Sequence, residues 1–340
     1  MQKWLNLPPE RKIEIINQVN AQTGFSVEAI EKDWWVTLAL KAVFATQWSE
    51  NLVFKGGTSL SKGWRLITRF SEDIDLAMDR SVLGFNDPTP NPSQVEKLRQ
   101  ASAEFMGGPF REALEAAIRA MEISPDALAV VATEIKQANE DPRQIELQYT
   151  SLFNVEQQKA PGYVRPKVIV EIGARSLKEP FAPRPITSLI TEHFPTATFS
   201  VKEFEVPTVE PQRTILEKLF LLYEENTKPL KKRKTLRYSR HLSDVHATKD
   251  YEPLLEAMAS PDLFNTIRMH RKTFNKVSGV QYDTLQFNQL DFLPADESLT
   301  DWEHDYAQMQ ESMIGSNPPS FATMMEGLRL FHQQVKTAKF

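Results

Sequence analysis

The sequence predicts an α+β fold: a mixed β-sheet flanked by helices, followed by a helical C-terminal lobe. Three observations predict it. Short apolar runs of strand type recur at 52–54, 73–76, 144–153, 165–173 and 199–206. Apolar residues at helical spacing precede those runs and take over from about Glu210 onward. The 340 residues are 41% hydrophobic and 25% charged, an ordinary globular composition, and no apolar run approaches membrane-spanning length. The expected division is 1–208, with N-terminal helices and a helical insert near 95–121, and 209–340, which is helical.

Residues 7–20 read as a helix with proline in its opening turn. Ser26 is placed to cap a second helix running to Trp48, with Glu28 and Glu31 near its positive end and Ile30, Trp34, Leu38 and Val43 on its apolar face. Leu52, Val53 and Phe54 form a strand that Gly56-Gly57 breaks, and a second strand carries Asp73 to Leu76. Asn86–Ser93 is a loop on composition. A helical stretch from Val95 to Met121 is interrupted at Gly107-Gly108-Pro109. In Arg165–Gly173, the near-continuous run Val168, Ile169, Val170 and Ile172 reads as a strand buried on both faces, with Glu171 inside it. Glu203 and Glu205 read as the solvent side of a strand over Phe199–Val206. Downstream, helices are expected at Pro211–Asn226, Thr235–Thr248, Pro253–Met258, Pro261–Lys276, Leu299–Met313 and Pro319–Lys336.

The chemistry concentrates in Val53–Ser59 and Arg69–Leu76. Paired glycines permit backbone geometry and close approach that other residues do not. A helix beginning near Thr58 or Ser59 would aim backbone N–H groups and small hydroxyls at a phosphate. Residues two apart on a strand share a face, so Asp73 and Asp75 stand together. Adjacent carboxylates raise each other's pKa unless a cation lies between them, and Mg²⁺ is commonly held by one or two carboxylates together with substrate phosphates. Taken singly, Gly-Gly is a turn and Asp-x-Asp a solvated strand end. Together they form an apparatus for phosphoryl or nucleotidyl transfer. Burying Glu171 without a partner is costly, which leaves two partners in view, a shared metal or an arginine. A Walker P-loop is excluded, because Gly56–Gly63 lacks the Gly-Lys-Ser/Thr ending.

The run Lys55-Gly56-Gly57-Thr58-Ser59-Leu60 followed by Arg69-Phe70-Ser71-Glu72-Asp73-Ile74-Asp75-Leu76 resembles the first motif of the AbiEii/AbiGii toxins of type IV toxin–antitoxin systems, polymerase-β-like nucleotidyltransferases. Glu31-Lys32-Asp33-Trp34-Trp35 looks like the helix that precedes that motif. Arg213-Thr214-Ile215-Leu216-Glu217-Lys218-Leu219 is similar to the family's Glu-Lys-Leu motif, and Arg240-His241-Leu242-Ser243-Asp244-Val245 to its later motif. The resemblance implies a polymerase-β-like core and a metal set of Asp73, Asp75 and Glu171. It implies a nucleotide set of Gly56, Gly57, Thr58, Ser59 and Lys218, with Arg213 as a weaker member. Asp73, Asp75, Lys218 and Asp244 would be catalytic, Lys218 neutralising the triphosphate and Asp244 helping to complete the active centre. It further implies Mg²⁺ as cofactor, an NTP substrate, the 3′ end of tRNA as acceptor, growth arrest as the effect, and a cognate antitoxin. Without the resemblance, Lys218 reads as a helix-surface lysine and Asp244 as a partner for His241.

The net charge of −5 gives no overall nucleic-acid signal, yet seven basic residues fall within Lys228–Arg240. Lys231, Lys232, Arg233, Lys234 and Arg237, with Tyr238 beside them for stacking, form a candidate RNA contact; a solvated loop or an acidic protein partner are the alternatives. The absence of cysteine excludes disulfides and thiolate chemistry. With no signal-like apolar stretch after Met1 and no candidate membrane span, a cytoplasmic location is expected. Two other readings keep the same residues: γ-phosphate transfer by a kinase, and an inactive fold that binds RNA or an antitoxin.

Overall fold

The computed structural model describes residues 1–133, 143–153 and 164–338. The chain divides into two compact units. The first comprises Met1–Arg65, Arg69–Val209 and Ser312–Ser316, and the second Leu66–Thr68, Glu210–Glu311 and Asn317–Phe340.

The first unit is built on a seven-stranded mixed sheet: β1 (Leu52–Lys55), β2 (Asp73–Met78), β3 (Leu128–Ala132), β4 (Gln144–Tyr149), β5 (Lys167–Gly173), β6 (Phe181–Ile186) and β7 (Phe204–Val209). The spatial order is β3-β4-β5-β2-β1-β7-β6. β2 runs antiparallel to β1 and parallel to β5, and β1 runs parallel to β7.

One face of this sheet is apolar. Ile74 and Leu76 of β2, Val168, Val170 and Ile172 of β5, and Ile145 and Leu147 of β4 are all fully buried. The helix Val27–Val43 packs against β2 and β5. Ser26 caps it, its side chain accepting from Ala29 N, and the helix ends at Val43, short of the expected Trp48.

The expectation that β5 is buried on both faces is corrected. Its residues alternate, with Lys167, Ile169, Glu171 and Gly173 half-buried on the side opposite the core. An apolar Ile169 beside Lys167 and Glu171 mimics a two-sided core strand in the sequence, but the other face of the sheet is polar. The strand expected over Phe199–Val206 begins at Phe204, leaving Glu203 before it and Glu205 exposed on it. The edge strand β6 carries Pro183 and Pro185, residues that cannot donate to a ladder and are confined to edges. That is why no strand signal marks it.

The insert holds two helices, Pro92–Phe105 and Arg111–Ala120, joined through a π-helical turn over Met106–Phe110. Pro109 lacks the N–H that an α-helical turn needs, and the wider turn accommodates it.

The second unit is helical: Pro211–Thr227, Ser239–Thr248, Glu252–Ala257, Pro261–Phe274 and Phe321–Thr337, with Leu299–Met313 contributing Tyr306 and Met309 to its core. Ile215, Leu219 and Leu222 are buried as their spacing predicts, and Phe220 stacks on Phe264 at 5.2 Å between ring centres. The helix expected from Thr235 starts instead at Ser239, because Arg237 takes a left-handed backbone conformation with φ of 62°. Among the described residues, no helix is long and apolar enough to cross a membrane.

Candidate active site

β1 ends at Lys55, and Gly56 turns the chain with φ of +81°, a conformation that L side chains rarely adopt. A second requirement is steric. A Cβ on Gly56 would lie 2.1 Å from Asp75 Oδ2, and one on Gly57 would lie 2.6 Å from Arg69 Nη2 and 3.0 Å from Ser71 Oγ. Both glycines are therefore needed for close approach, the first to a carboxylate and the second to the loop that leads into β2. The helical turn begins at Gly56 and continues as a π-turn over Ser59–Gly63, two to three residues earlier than the sequence suggests.

Thr58 and Ser59 are buried, and their hydroxyls serve the turn itself. Thr58 Oγ1 lies 2.9 Å from Ser71 Oγ and donates to the Asp73 carbonyl at 2.5 Å; Ser59 Oγ donates to the Gly56 carbonyl at 2.8 Å. These bonds fasten the glycine turn to the start of the aspartate strand.

The sheet register places four polar residues in one row across four strands. Lys55 of β1 pairs with Asp75 of β2, Asp75 with Glu171 of β5, and Glu171 with Gln144 of β4. Asp73 stands on the same face two residues along β2. Gln144 Nε2 donates to Glu171 Oε1 at 2.5 Å. Among protein groups, Glu171 is thus bonded to an amide, with Asp75 as its carboxylate neighbour. Burial and the Asp75 charge push the Glu171 carboxyl up to about 7; the Gln144 bond and Lys55 pull it the other way, and Asp73 adds to the rise.

The rise comes first from taking the carboxyl out of water and then from the carboxylate beside it. The donors are hard carboxylate oxygens, and the glycine turn clears space directly against one of them, which suits a divalent cation of the magnesium type. Among the described residues, no group of three or more His, Cys, Asp or Glu side chains forms a cage for a metal ion.

In the second unit, Lys218 and Asp244 form an ion pair, Nζ to Oδ2 at 3.0 Å, with side chains 9% and 0% exposed. The pattern-based reading of Lys218 as a surface lysine is overturned: the helix Pro211–Thr227 is covered on the side that carries it, and its charge is matched by Asp244. Arg213 is fully buried and bonded to Glu217 at 3.2 Å. Lys231, Lys232 and Lys234 are exposed, while Arg233 and Arg237 are half-buried. The loop that carries them is held from below. Glu225 accepts from Lys234 N at 2.7 Å and pairs with Lys228 at 2.6 Å, and Asp305 accepts from Arg237 N at 2.5 Å and Ser239 N at 3.0 Å. Leu236, 70% exposed, projects from the same loop. Tyr238 packs edge-on against His241.

Sequence reasoning missed Lys55 and Gln144 as site residues. Lys55 lay within the quoted motif; Gln144 had no local signal, since only the β4–β5 pairing brings it to Glu171.

The family described as nucleotidyl transferase AbiEii toxin, type IV TA system, matches residues 38–327. No curated protein matches the chain. Among solved structures, MenT4, a nucleotidyltransferase toxin from Mycobacterium tuberculosis H37Rv, aligns with a TM-score of 0.55 at 16% identity, covering 98% of this chain and 91% of that one. JHP933 from Helicobacter pylori aligns with a TM-score of 0.42 at 14% identity, over 92% of this chain and 95% of that one. The first shows a shared fold, and the second carries no argument. With the family matched over most of its length, the chain belongs to the AbiEii nucleotidyltransferase toxins of type IV toxin–antitoxin systems.

Proposed function

We propose that this nucleotidyltransferase moves a nucleoside monophosphate from an NTP to an acceptor hydroxyl on RNA, releasing pyrophosphate, with Mg²⁺ as cofactor. The observation that carries the reading is the row Lys55, Asp75, Glu171 and Gln144, set directly against Gly56. Asp73, Asp75 and Glu171 would hold the cation, whose chemistry is to neutralise phosphate charge and support in-line displacement. Gly56 and Gly57 keep side chains out of the space beside Asp75, Thr58 and Ser59 fix the turn, and Lys55 adds a positive charge at the edge of the carboxylate face. Gln144 orients the Glu171 carboxyl, which exchanges its proton near neutrality.

For Lys218 and Asp244 we retain the catalytic roles that the family motifs imply. Arg213 remains the weakest member of the nucleotide set, because its guanidinium is enclosed and bonded to Glu217. The tRNA 3′ end as acceptor and an antitoxin as partner follow from the family resemblance.

Incubating the protein with total tRNA and NTP labelled at either the α- or the γ-phosphate tests the reaction class. Label is expected on RNA from the α position only. Transfer from the γ position would establish the kinase reading, and no transfer from any of the four NTPs would leave the binding-module reading in its place.

The exposed lysines give a separate expectation. Replacing Lys231, Lys232 and Lys234 with alanine should weaken RNA binding and lower the slope of log K against log salt by about 2, at ~0.7 per phosphate contact on single strands. Fluorescence anisotropy over a salt series measures it. An unchanged slope would remove this loop from the RNA surface.

A further inference from the structure

Helix Val27–Val43 is enclosed on every side, with 14 of its 17 residues buried. Successive residues on a helix point in directions about 100° apart, so the consecutive charges Glu31, Lys32 and Asp33 face three different neighbours. Each reaches a segment that carries part of the catalytic face.

Lys32 Nζ pairs with Glu72 Oε2 at 2.6 Å, with side chains 2% and 5% exposed, and Glu72 immediately precedes Asp73. Asp33 Oδ1 accepts from Lys62 Nζ at 2.6 Å, and Lys62 lies in the π-turn that continues from Gly56–Thr58. Lys62 also donates to the Thr187 carbonyl at 2.9 Å, while Asp33 Oδ2 accepts from Leu189 N at 2.7 Å. Glu31 takes Ser151 Oγ at 2.6 Å and Leu152 N at 2.9 Å, fixing the segment that leaves β4, the strand of Gln144.

We propose that Lys32 and Asp33 are positioning residues for nucleotidyl transfer: one helix grips the aspartate strand through Glu72 and the glycine turn through Lys62, and so fixes the turn against Asp75. The inference rests on the reading of Asp73, Asp75 and Glu171 as the cation face. Neither residue touches that face itself.

Stability alone is a poor explanation for these charges. A buried ion pair is often matched or bettered by well-packed apolar side chains. Both pairs join the same helix to two segments that approach each other closely, where a Cβ on Gly56 would already collide with Asp75. Displacements on the ångström scale at such a site cost large factors in rate.

The test replaces a whole pair, Lys32→Met with Glu72→Leu, so that neither of these two charges is left buried without the other. Free Mn²⁺ is followed by electron paramagnetic resonance as a probe of the carboxylate face, with thermal unfolding and steady-state transfer measured on the same protein. Melting is expected to remain cooperative and near that of the unaltered protein. Mn²⁺ affinity and kcat should each fall at least about tenfold, the usual scale for loss of a supporting contact behind a metal site, while KM for the NTP changes little. Lys32→Arg, which keeps the pair with Glu72, should recover most of both. A paired variant with unaltered Mn²⁺ titration and kcat overturns the proposal.

If the paired variant does not fold, Lys62→Gln decides in its place, since Asp33 keeps its bond from Leu189 N; the same losses support the proposal and unaltered values overturn it. Asp75→Ala serves as the reference for the cation face. If Asp75→Ala and the unaltered protein titrate alike, the cation reading fails, and kcat in the paired and Lys62→Gln variants then decides the positioning roles.

Discussion

Asp75→Ala is expected to lower nucleotidyl transfer by roughly 10²- to 10³-fold, the scale set by removing a group that stabilises transition-state charge in a preorganised site. Asp75 occupies the centre of the polar row, with Lys55 on one side and Glu171 on the other, and its Oδ2 lies where a Gly56 side chain would begin. The fold should survive the change, because Asp75 is half-buried on the polar face while Ile74 and Leu76 hold β2 to the core. Removing its charge also relieves the repulsion that raises Glu171. Circular dichroism should be unchanged and the metal-free melting temperature equal or higher. Full activity in Asp75→Ala would sink the assignment of β2 as the metal strand.

The glycine pair, the Asp-x-Asp strand and Glu171 were legible because each leaves a local mark: a backbone break, a two-residue spacing, and a charge inside an apolar run. Their assembly left no local mark, and only the family resemblance set Glu171 beside Asp73 and Asp75. Asp75 meets Glu171 because β5 pairs with β2 in parallel, and Gln144 meets Glu171 because β4 pairs with β5; strand order is a long-range choice that no single stretch encodes. The same limit applied to charge. Glu31, Lys32 and Asp33 read as an ordinary charged first turn, since acidic residues suit a helix start and such residues are mostly solvated. Only the packing of other segments around that helix turns them into buried tethers. Lys218 likewise reads as a surface position from its residue type, and it is buried and paired with Asp244 from a later helix. In each case the sequence shows the side chain and conceals the partner.

Glu171 makes the cation face testable through pH without measuring activity. Its carboxyl titrates at about 7 in the folded protein against an ordinary 4.5, driven up by burial and by Asp75, with Asp73 adding and with Gln144 and Lys55 opposing. Further along the same face, Lys167 and Glu146 pair with each other. The folded state therefore binds more protons than the unfolded state between these values, and stability must fall as pH rises through that window. The full effect is on the order of 3 kcal/mol, less what solvent screening of a half-buried group removes. Metal-free protein is expected to melt lower at pH 8 than at pH 6, and Glu171→Gln should flatten that dependence and melt higher than the unaltered protein at pH 8. Added Mg²⁺ should act in the opposite sense: it stabilises the unaltered protein more at pH 8, where Glu171 is already ionised, than at pH 6, where a proton must first leave. In Glu171→Gln the Mg²⁺ shift should shrink at both values. Scanning calorimetry at the two pH values, with and without Mg²⁺, gives the four comparisons. Equal pH slopes in the two proteins would show that Glu171 does not carry the excess charge of this face. A Mg²⁺ shift that is independent of both pH and Glu171 would place the cation elsewhere.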